Sequence, residues 1–582
     1  MKIDKKKLEN SPALQVYRAS LTGFFTVGIF SFFINLGALI SPLYMQQIFD
    51  RVMQSRHVET LIYLTIIVVF FLVVIAILDG IRGSILAKIA KWWDETVNPD
   101  LLVSIIQMAR SKGMSQAHAM NDLMSVRQFV GGPGILPFFD GPWMPMFIFA
   151  IALIHPWLSI IAVVAAFLLF FIAGANDIVT RRQMDGLSAR QARAQTTVEV
   201  ANRHADSVYS MGMMPGVLAR FNEDNAFVSE AMYQIASFTA KISAFSKFIR
   251  FTAQISVLGL GAYLATDGKI TSGGMIAASI LMGRALAPAE QALGAWRGLI
   301  GAIQAHKRIR QLILSAPSDM DTIIQPEPRG EVEFNNASYV LSNSERPILR
   351  GLNYQFPTQS IIAVIGASGS GKSTMCKILI GALVPTSGSV RLDGTSMSNW
   401  DKTQFGKNIG YLAQSVQLMD GTIQENIARM NAANDEAVIE AAQIAGCHEM
   451  INGFPQGYQT VIGTHGMNLS GGQAQRIGFA RALYGNPRLV VLDEPNSNLD
   501  ADGDTAMHAG ILKMKSMGAS VFIVSHKPAV LANVDLIVTM SQGAIEKVQS
   551  KEEFMKNAIR PIGDMLEKIR KVSNARQLQK NT

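Results

Sequence analysis

The chain has 582 residues, 49% of them hydrophobic and only 16% charged, with a formal net charge of +8; its mean hydropathy is +0.22. That length is too great for one domain, and that composition argues against a wholly water-exposed protein. The positive charge lies beside apolar spans, which points to anionic lipid headgroups and away from nucleic acid.

The first residues, Met1-Lys-Ile-Asp-Lys-Lys-Lys7, have the charge of a signal-peptide start. The apolar run that follows begins near Leu21, is too long for a signal core and lacks a small-residue cleavage site, so it reads as a retained transmembrane helix. Membrane-length apolar segments follow in pairs: Leu21–Ile40 with Leu61–Leu78, Pro137–Ile154 with Trp157–Gly174, and Phe248–Ala265 with Ser272–Ala289. Long polar stretches between the pairs can carry the helices beyond the bilayer. Lys2, Lys5, Lys6, Lys7 and Arg18 precede the first span, and Arg82, Lys88, Lys91, Arg181, Arg182, Arg190 and Arg193 follow the even ones. The opposite loops carry only Arg51, Arg56 and Lys269, so both termini are expected in the cytoplasm. Asp79, Asp140, Arg250 and Arg284 lie in or beside spans, where a charge is costly. Asp79 and Arg250 are expected at the interface or in ion pairs; for Arg284 a cavity-facing role and a structural one are both open.

Near Ser315–Gly330, the prolines Pro326 and Pro328 break the helical pattern and mark a linker. Beyond it, short strands alternate with helices: Glu331–Phe334, Ile361–Ile365, Ile409–Leu412, Leu489–Asp493 and Val521–Ser525 are the predicted strands of an α/β domain with a largely parallel sheet. The two cysteines, Cys376 and Cys447, cannot build a disulfide framework or a metal cluster.

The stretch Gly366-Ala367-Ser368-Gly369-Ser370-Gly371-Lys372-Ser373-Thr374 stands between a predicted strand and a predicted helix. Glycines there let backbone N–H groups cradle phosphate oxygens, Lys372 reaches the β- and γ-phosphates, and the Ser373 hydroxyl can ligate Mg²⁺. Leu489-Val-Val-Leu-Asp493-Glu494 ends a buried strand in two carboxylates. Asp493 is placed to hold Mg²⁺, directly or through water, and Glu494 to polarise the attacking water. Ser470-Gly471-Gly472-Gln473 opens a predicted helix whose first N–H groups can bind phosphate.

Together these motifs resemble the nucleotide-binding domain of ATP-binding cassette (ABC) transporters. The resemblance implies ATP and Mg²⁺ as cofactors. It implies that Gln414 is the Q-loop glutamine at Mg²⁺ and the attacking water, that His526 is the switch histidine at the γ-phosphate, and that Ser497-Asn498-Leu499-Asp500 is the D-loop. Asn498 departs from the family's usual alanine. Tyr339 is the nearest candidate to stack on adenine, although the family register would place that aromatic at Leu341. The implied architecture is multi-domain: an all-α six-helix transmembrane domain (1–314), a linker (315–330), an α/β P-loop ABC nucleotide-binding domain (331–560) and a basic tail (561–582). One P-loop and one six-span block imply a homodimer, with ATP held between the P-loop of one subunit and the Ser470–Gln473 segment of the other.

Three membrane motifs narrow the resemblance. Ser31-Phe-Phe-Ile-Asn35 with Ser41-Pro-Leu-Tyr-Met45, Asp140-Gly-Pro-Trp143-Met-Pro145, and Gly283-Arg284-Ala-Leu-Ala-Pro288 are similar to those of type I secretion ABC transporters of the protease, S-layer and haemophore-exporting class. That class implies a bacterial inner membrane, a periplasmic adaptor (membrane fusion) protein, an outer-membrane channel and an unfolded polypeptide cargo with a C-terminal signal. About twenty residues precede the first span, so no peptidase-like domain is expected there. The alternative is a stand-alone exporter of lipid or amphipathic small molecules.

Overall fold

At membrane depth only a helix satisfies every backbone N–H and C=O within one segment, and the apolar runs of the first half all fold this way. The computed structural model describes residues 12–112, 118–184, 186–315, 324–341, 346–463, 466–525 and 527–556. These fall into two separately packed units, the first helical and the second α/β.

The helical unit contains α1 (Pro12–Gly37), α2 (Ile40–Gln47), α3 (Val58–Lys112), α4 (His118–Gly131), α5 (Leu136–Asp140), α6 (Met144–Ile154), α7 (Pro156–Met184), α8 (Leu187–Arg203), α9 (Ala205–Ser210), α10 (Met214–Thr266) and α11 (Ser272–Ser315). Among the described residues, five stretches are long and apolar enough to cross a membrane: Ala19–Ser55, Val58–Arg110, Pro133–Ile154, Pro156–Ile178 and Met214–Thr266. They coincide with five of the six expected spans. The sixth, Ser272–Ala289, falls on α11, where Gly273, Gly274, Ala277, Ala278 and Ser279 are buried. Small residues lower its hydropathy while letting neighbouring helices approach closely. α11 accordingly packs against α10, α4, α6, α7 and α2.

The third span is broken. A 3₁₀ turn (Pro133–Ile135) leads into α5, and a second (Gly141–Trp143) leads into α6. Prolines 133, 137, 142 and 145 remove the N–H groups a continuous helix would need. The break carries Asp140 to a buried guanidinium. Arg82, 4% exposed, donates to Ser31 Oγ at 2.8 Å, to Asp140 at 2.7 Å and to Asp79 at 2.7 Å. Asn35 Nδ2 donates to the same Asp140 oxygen at 2.9 Å. Two of the three membrane motifs therefore converge on one residue that neither contains. Arg250 pairs with Glu290 at 2.6 Å, so Asp79 and Arg250 are both paired. Arg284 is exposed on α11.

The second unit is built on strands β1 (Val332–Val340), β2 (Pro347–Phe356), β3 (Ile361–Gly366), β4 (Ser387–Leu392), β5 (Thr395–Ser396), β6 (Ile409–Leu412), β7 (Gly421–Thr422), β8 (Val461–Ile462), β9 (Leu489–Asp493), β10 (Ser520–Val524), β11 (Leu536–Ser541) and β12 (Ala544–Ser550). The main sheet runs β12-β11-β3-β10-β9-β6 and is parallel except for β12. Its central strands β3, β10 and β9 are buried on both faces, as their unbroken apolar runs require. Ile361, Ala363, Val490, Leu492, Val521 and Ile523 face one core. Ile362, Val364, Val491 and Phe522 face the other, with Phe334, Phe356 and Cys376. The predicted strand at Glu331–Phe334 departs from the parallel expectation. It belongs to a second, antiparallel sheet ordered β2-β1-β4-β5, because β1 forms a hairpin with β2.

Candidate nucleotide-binding and hydrolysis site

The chemistry-bearing residues cluster past the C-terminal ends of the parallel strands, where an open α/β sheet leaves a crevice. The P-loop links β3 to α12 (Lys372–Leu379). Gly366, Gly369 and Gly371 take φ of +151°, +80° and +99°, conformations that disfavour any side chain. A Cβ on Gly366 would also lie 2.3 Å from the Met540 carbonyl oxygen. Ala367, Ser368 and Ser370 complete the turn, and Ser373 and Thr374 open α12. Lys372 is 8% exposed, and its ammonium donates to the carbonyls of Gly366 at 2.7 Å and Ala367 at 2.9 Å. The buried Ser370 hydroxyl has no partner among the described residues.

Asp493 ends β9 and is 3% exposed. Burial pushes its carboxyl above the usual carboxylate range, while a hydrogen bond from Ser373 pulls it down. Its Oδ1 is buried without a hydrogen-bond partner among the described residues. A carboxylate at that cost, beside a hydroxyl, fits a hard divalent cation such as Mg²⁺.

The sheet register brings the next pair together. β6 and β9 are parallel with Leu412 opposite Leu492. Gln414 and Glu494 each lie two residues further on, and Gln414 Nε2 donates to Glu494 Oε2 at 2.9 Å. Glu494 sits at φ +50°, a left-handed conformation that costs a β-carbon-bearing residue about 1 kcal/mol. Its N–H donates to Val524 of β10 at 3.0 Å. Strain held in place by neighbouring strands is characteristic of functional sites. His526 lies outside the described residues.

Ser470 caps helix α13 (Gly471–Leu483). Its hydroxyl accepts from Gln473 N at 3.3 Å, while Gln473 Oε1 accepts from Ser470 N at 2.9 Å. This capping box orients the first turn and its remaining N–H groups. Gly472 has to be small: a Cβ there would lie 2.9 Å from the Asn498 carbonyl oxygen, and the Asn498 side chain flanks Gly471. Asp500 in turn caps α14 (Ala501–Ser516), accepting from Gly503 N at 2.9 Å.

Tyr339 lies opposite Leu349 in β1 and packs partly on the antiparallel-sheet core. Leu341, just past the strand, is 50% exposed. Two residues that motif reading passed over are Arg82 in the membrane unit and Gln475 on α13. Gln475 is 1% exposed and donates to the Pro495 carbonyl at 2.8 Å. The available signal was a polar residue among Ala474, Ile477 and Gly478, on a helix face that otherwise reads as core.

Residues 24–286 match the ABC transporter transmembrane region family, and residues 349–497 the ABC transporter family. The chain is 34% identical over 559 residues to the type I secretion system ATP-binding protein PrsD of Rhizobium meliloti (strain 1021), covering 96% of each. It is 27% identical to the alpha-hemolysin translocation ATP-binding protein HlyB of Escherichia coli O157:H7, covering 94% of this chain and 78% of that one. A solved bacterial Atm1-family ABC exporter with ATP bound shares the fold at a TM-score of 0.76 and 18% identity, over 93% of this chain and 96% of that one. The chain belongs to the ABC transporters, in the class of type I secretion ATP-binding proteins, whose ATPase is coupled to protein export.

Proposed function

We propose that this protein is the energy-coupling translocase of a type I secretion system in a bacterial inner membrane, with both termini cytoplasmic. The observation that carries the hydrolytic assignment is the Gln414–Glu494 hydrogen bond beside Asp493, Ser373 and Lys372. In this reading the glycine-rich loop and Lys372 bind the phosphates of ATP. Ser373 and Asp493 hold Mg²⁺ with Gln414, and the ion would neutralise phosphate charge when bound. Glu494 takes the proton of the attacking water, Gln414 orients that water, and His526 contacts the γ-phosphate. Ser470, Gly471, Gly472 and Gln473 hold the ATP of the partner subunit in a homodimer. Tyr339 is the proposed adenine platform.

The cargo class rests on the similarity to PrsD along nearly the whole chain. We place with this subunit a periplasmic adaptor (membrane fusion) protein, an outer-membrane channel and an unfolded polypeptide bearing a C-terminal signal. The coupling element between hydrolysis and the spans is proposed to lie within Val198–Met214, where Tyr209 and Met211 are exposed. The test compares secreted proteins, by mass spectrometry, between wild-type cells and cells carrying only Glu494→Gln. Loss of one or a few proteins from the medium, with their accumulation in the cytosol, is expected. An unchanged secretome with altered envelope lipids would replace this reading with export of lipid or amphipathic small molecules.

A further inference from the structure

Glu494 is anchored on its N-terminal side by Val524, through the 3.0 Å hydrogen bond from its own N–H. On its C-terminal side the next residue is Pro495, whose ring locks one backbone dihedral. The Pro495 carbonyl accepts from Gln475 Nε2 at 2.8 Å, and Gln475 is 1% exposed. The other end of that amide, Oε1, is buried with no hydrogen-bond partner among the described residues. A buried amide with one end unmatched costs stability that an apolar side chain of similar length would not.

We propose that Gln475 is a positioning residue for hydrolysis: from the first turns of α13 it clamps the backbone immediately after Glu494 and so holds that carboxylate in its left-handed, strained pose. The inference rests on Glu494 being the base. Two observations make the clamp more than packing. The strained φ of +50° at Glu494 is held on one side by Val524 and on the other by a turn in which Ser497 N–H donates to the Glu494 carbonyl at 3.3 Å, and Gln475 is the side chain that ties that turn to α13. The D-loop is also tied to the same helix at Gly472, where the Asn498 carbonyl closes on the backbone. The start of α13 and the segment Pro495–Asp500 therefore touch at Gly472, at Gln475 and at Arg476, which donates to Asp500 at 3.4 Å, so in this proposal the orientation of Glu494 depends on the position of α13.

The test uses the full-length purified protein and steady-state ATP hydrolysis with Mg²⁺. Gln475→Met keeps length and burial but removes the donor. It is expected to lower kcat about tenfold, as loss of a hydrogen bond to a buried carbonyl would, with KM for ATP unchanged. In a Glu494→Gln background the same change is expected to lower the residual rate no further, because both act through one carboxylate. Should Gln475→Met fail to fold, Pro495→Gly leaves Gln475 in place, frees the locked backbone and is expected to lower kcat at constant KM. A raised KM with kcat intact, or fully additive losses in the double variant, would overturn the proposal. If Glu494→Gln alone keeps normal turnover, the assignment of the base fails. If Glu494→Gln is inactive and neither Gln475→Met nor Pro495→Gly lowers kcat, only the clamp fails.

Discussion

Glu494 holds a left-handed backbone, and the strain of that pose can be measured as a difference between two variants that both lack the carboxylate. Glu494→Ala and Glu494→Gly both remove the carboxylate and the 2.9 Å hydrogen bond from Gln414, so those losses cancel in the comparison. What remains is φ of +50°, which costs alanine about 1–2 kcal/mol, offset by the roughly 0.4–1 kcal/mol that glycine loses through its freer unfolded chain, a net advantage to glycine of about 1 kcal/mol. For a unit of this size, about 1 kcal/mol moves the melting midpoint by roughly 2–4 °C. Both variants should lose on the order of 10²-fold or more in ATP turnover. The glycine variant should nevertheless melt about 2–4 °C above the alanine variant in nucleotide-free thermal unfolding of the α/β unit, followed by fluorescence in the detergent-solubilised full chain. An alanine variant as stable as the glycine one, or more so, would refute the reasoning that backbone strain is stored at this position.

Other outcomes follow from the same geometry. Lys372→Ala should weaken ATP binding at least about tenfold, measured by a fluorescent nucleotide titration, because the only buried ammonium of the loop is removed. Gly472→Ala should lower both ATPase activity and the melting midpoint of the α/β unit, since a Cβ there meets the Asn498 backbone carbonyl at 2.9 Å and one of the two segments has to shift. Asp493→Asn should raise nucleotide-free stability at neutral pH. Burial raises the folded-state pKa of Asp493, so its contribution is favourable below the unfolded pKa and is lost as pH rises through the raised value. The difference between wild type and variant, followed by melts across acid to neutral pH, should widen in that direction, and stabilisation by ATP with Mg²⁺ should disappear. Arg82→Met should destabilise the helical unit by about 3 kcal/mol by stranding Asp140, and Arg82→Met with Asp140→Leu should recover much of that loss in detergent unfolding.

The nucleotide motifs were legible in the sequence because each needs a fixed spacing of specific residue types along a strand, loop and helix. The glycines from Gly366 to Gly371, the carboxylates ending β9 and the capping box at Ser470 are local in this sense. The apolar runs announced the spans for a similar reason, since membrane thickness imposes a length on the chain. What needed the tertiary structure was every relation between distant segments. Gln414 and Glu494 are 80 residues apart and meet only because β6 and β9 pair in parallel at one register. Arg82 reads as one more positive-inside charge until the broken third span brings Asp140 to it, 58 residues away. Gln475 looks like a polar residue on an amphipathic helix until folding buries it against the Pro495 carbonyl. Local chemistry is written in residue type and spacing. Which carboxylate a guanidinium neutralises, and which carbonyl an amide clamps, is decided by sheet register and helix packing, where burial makes an unmatched polar group too costly to leave alone.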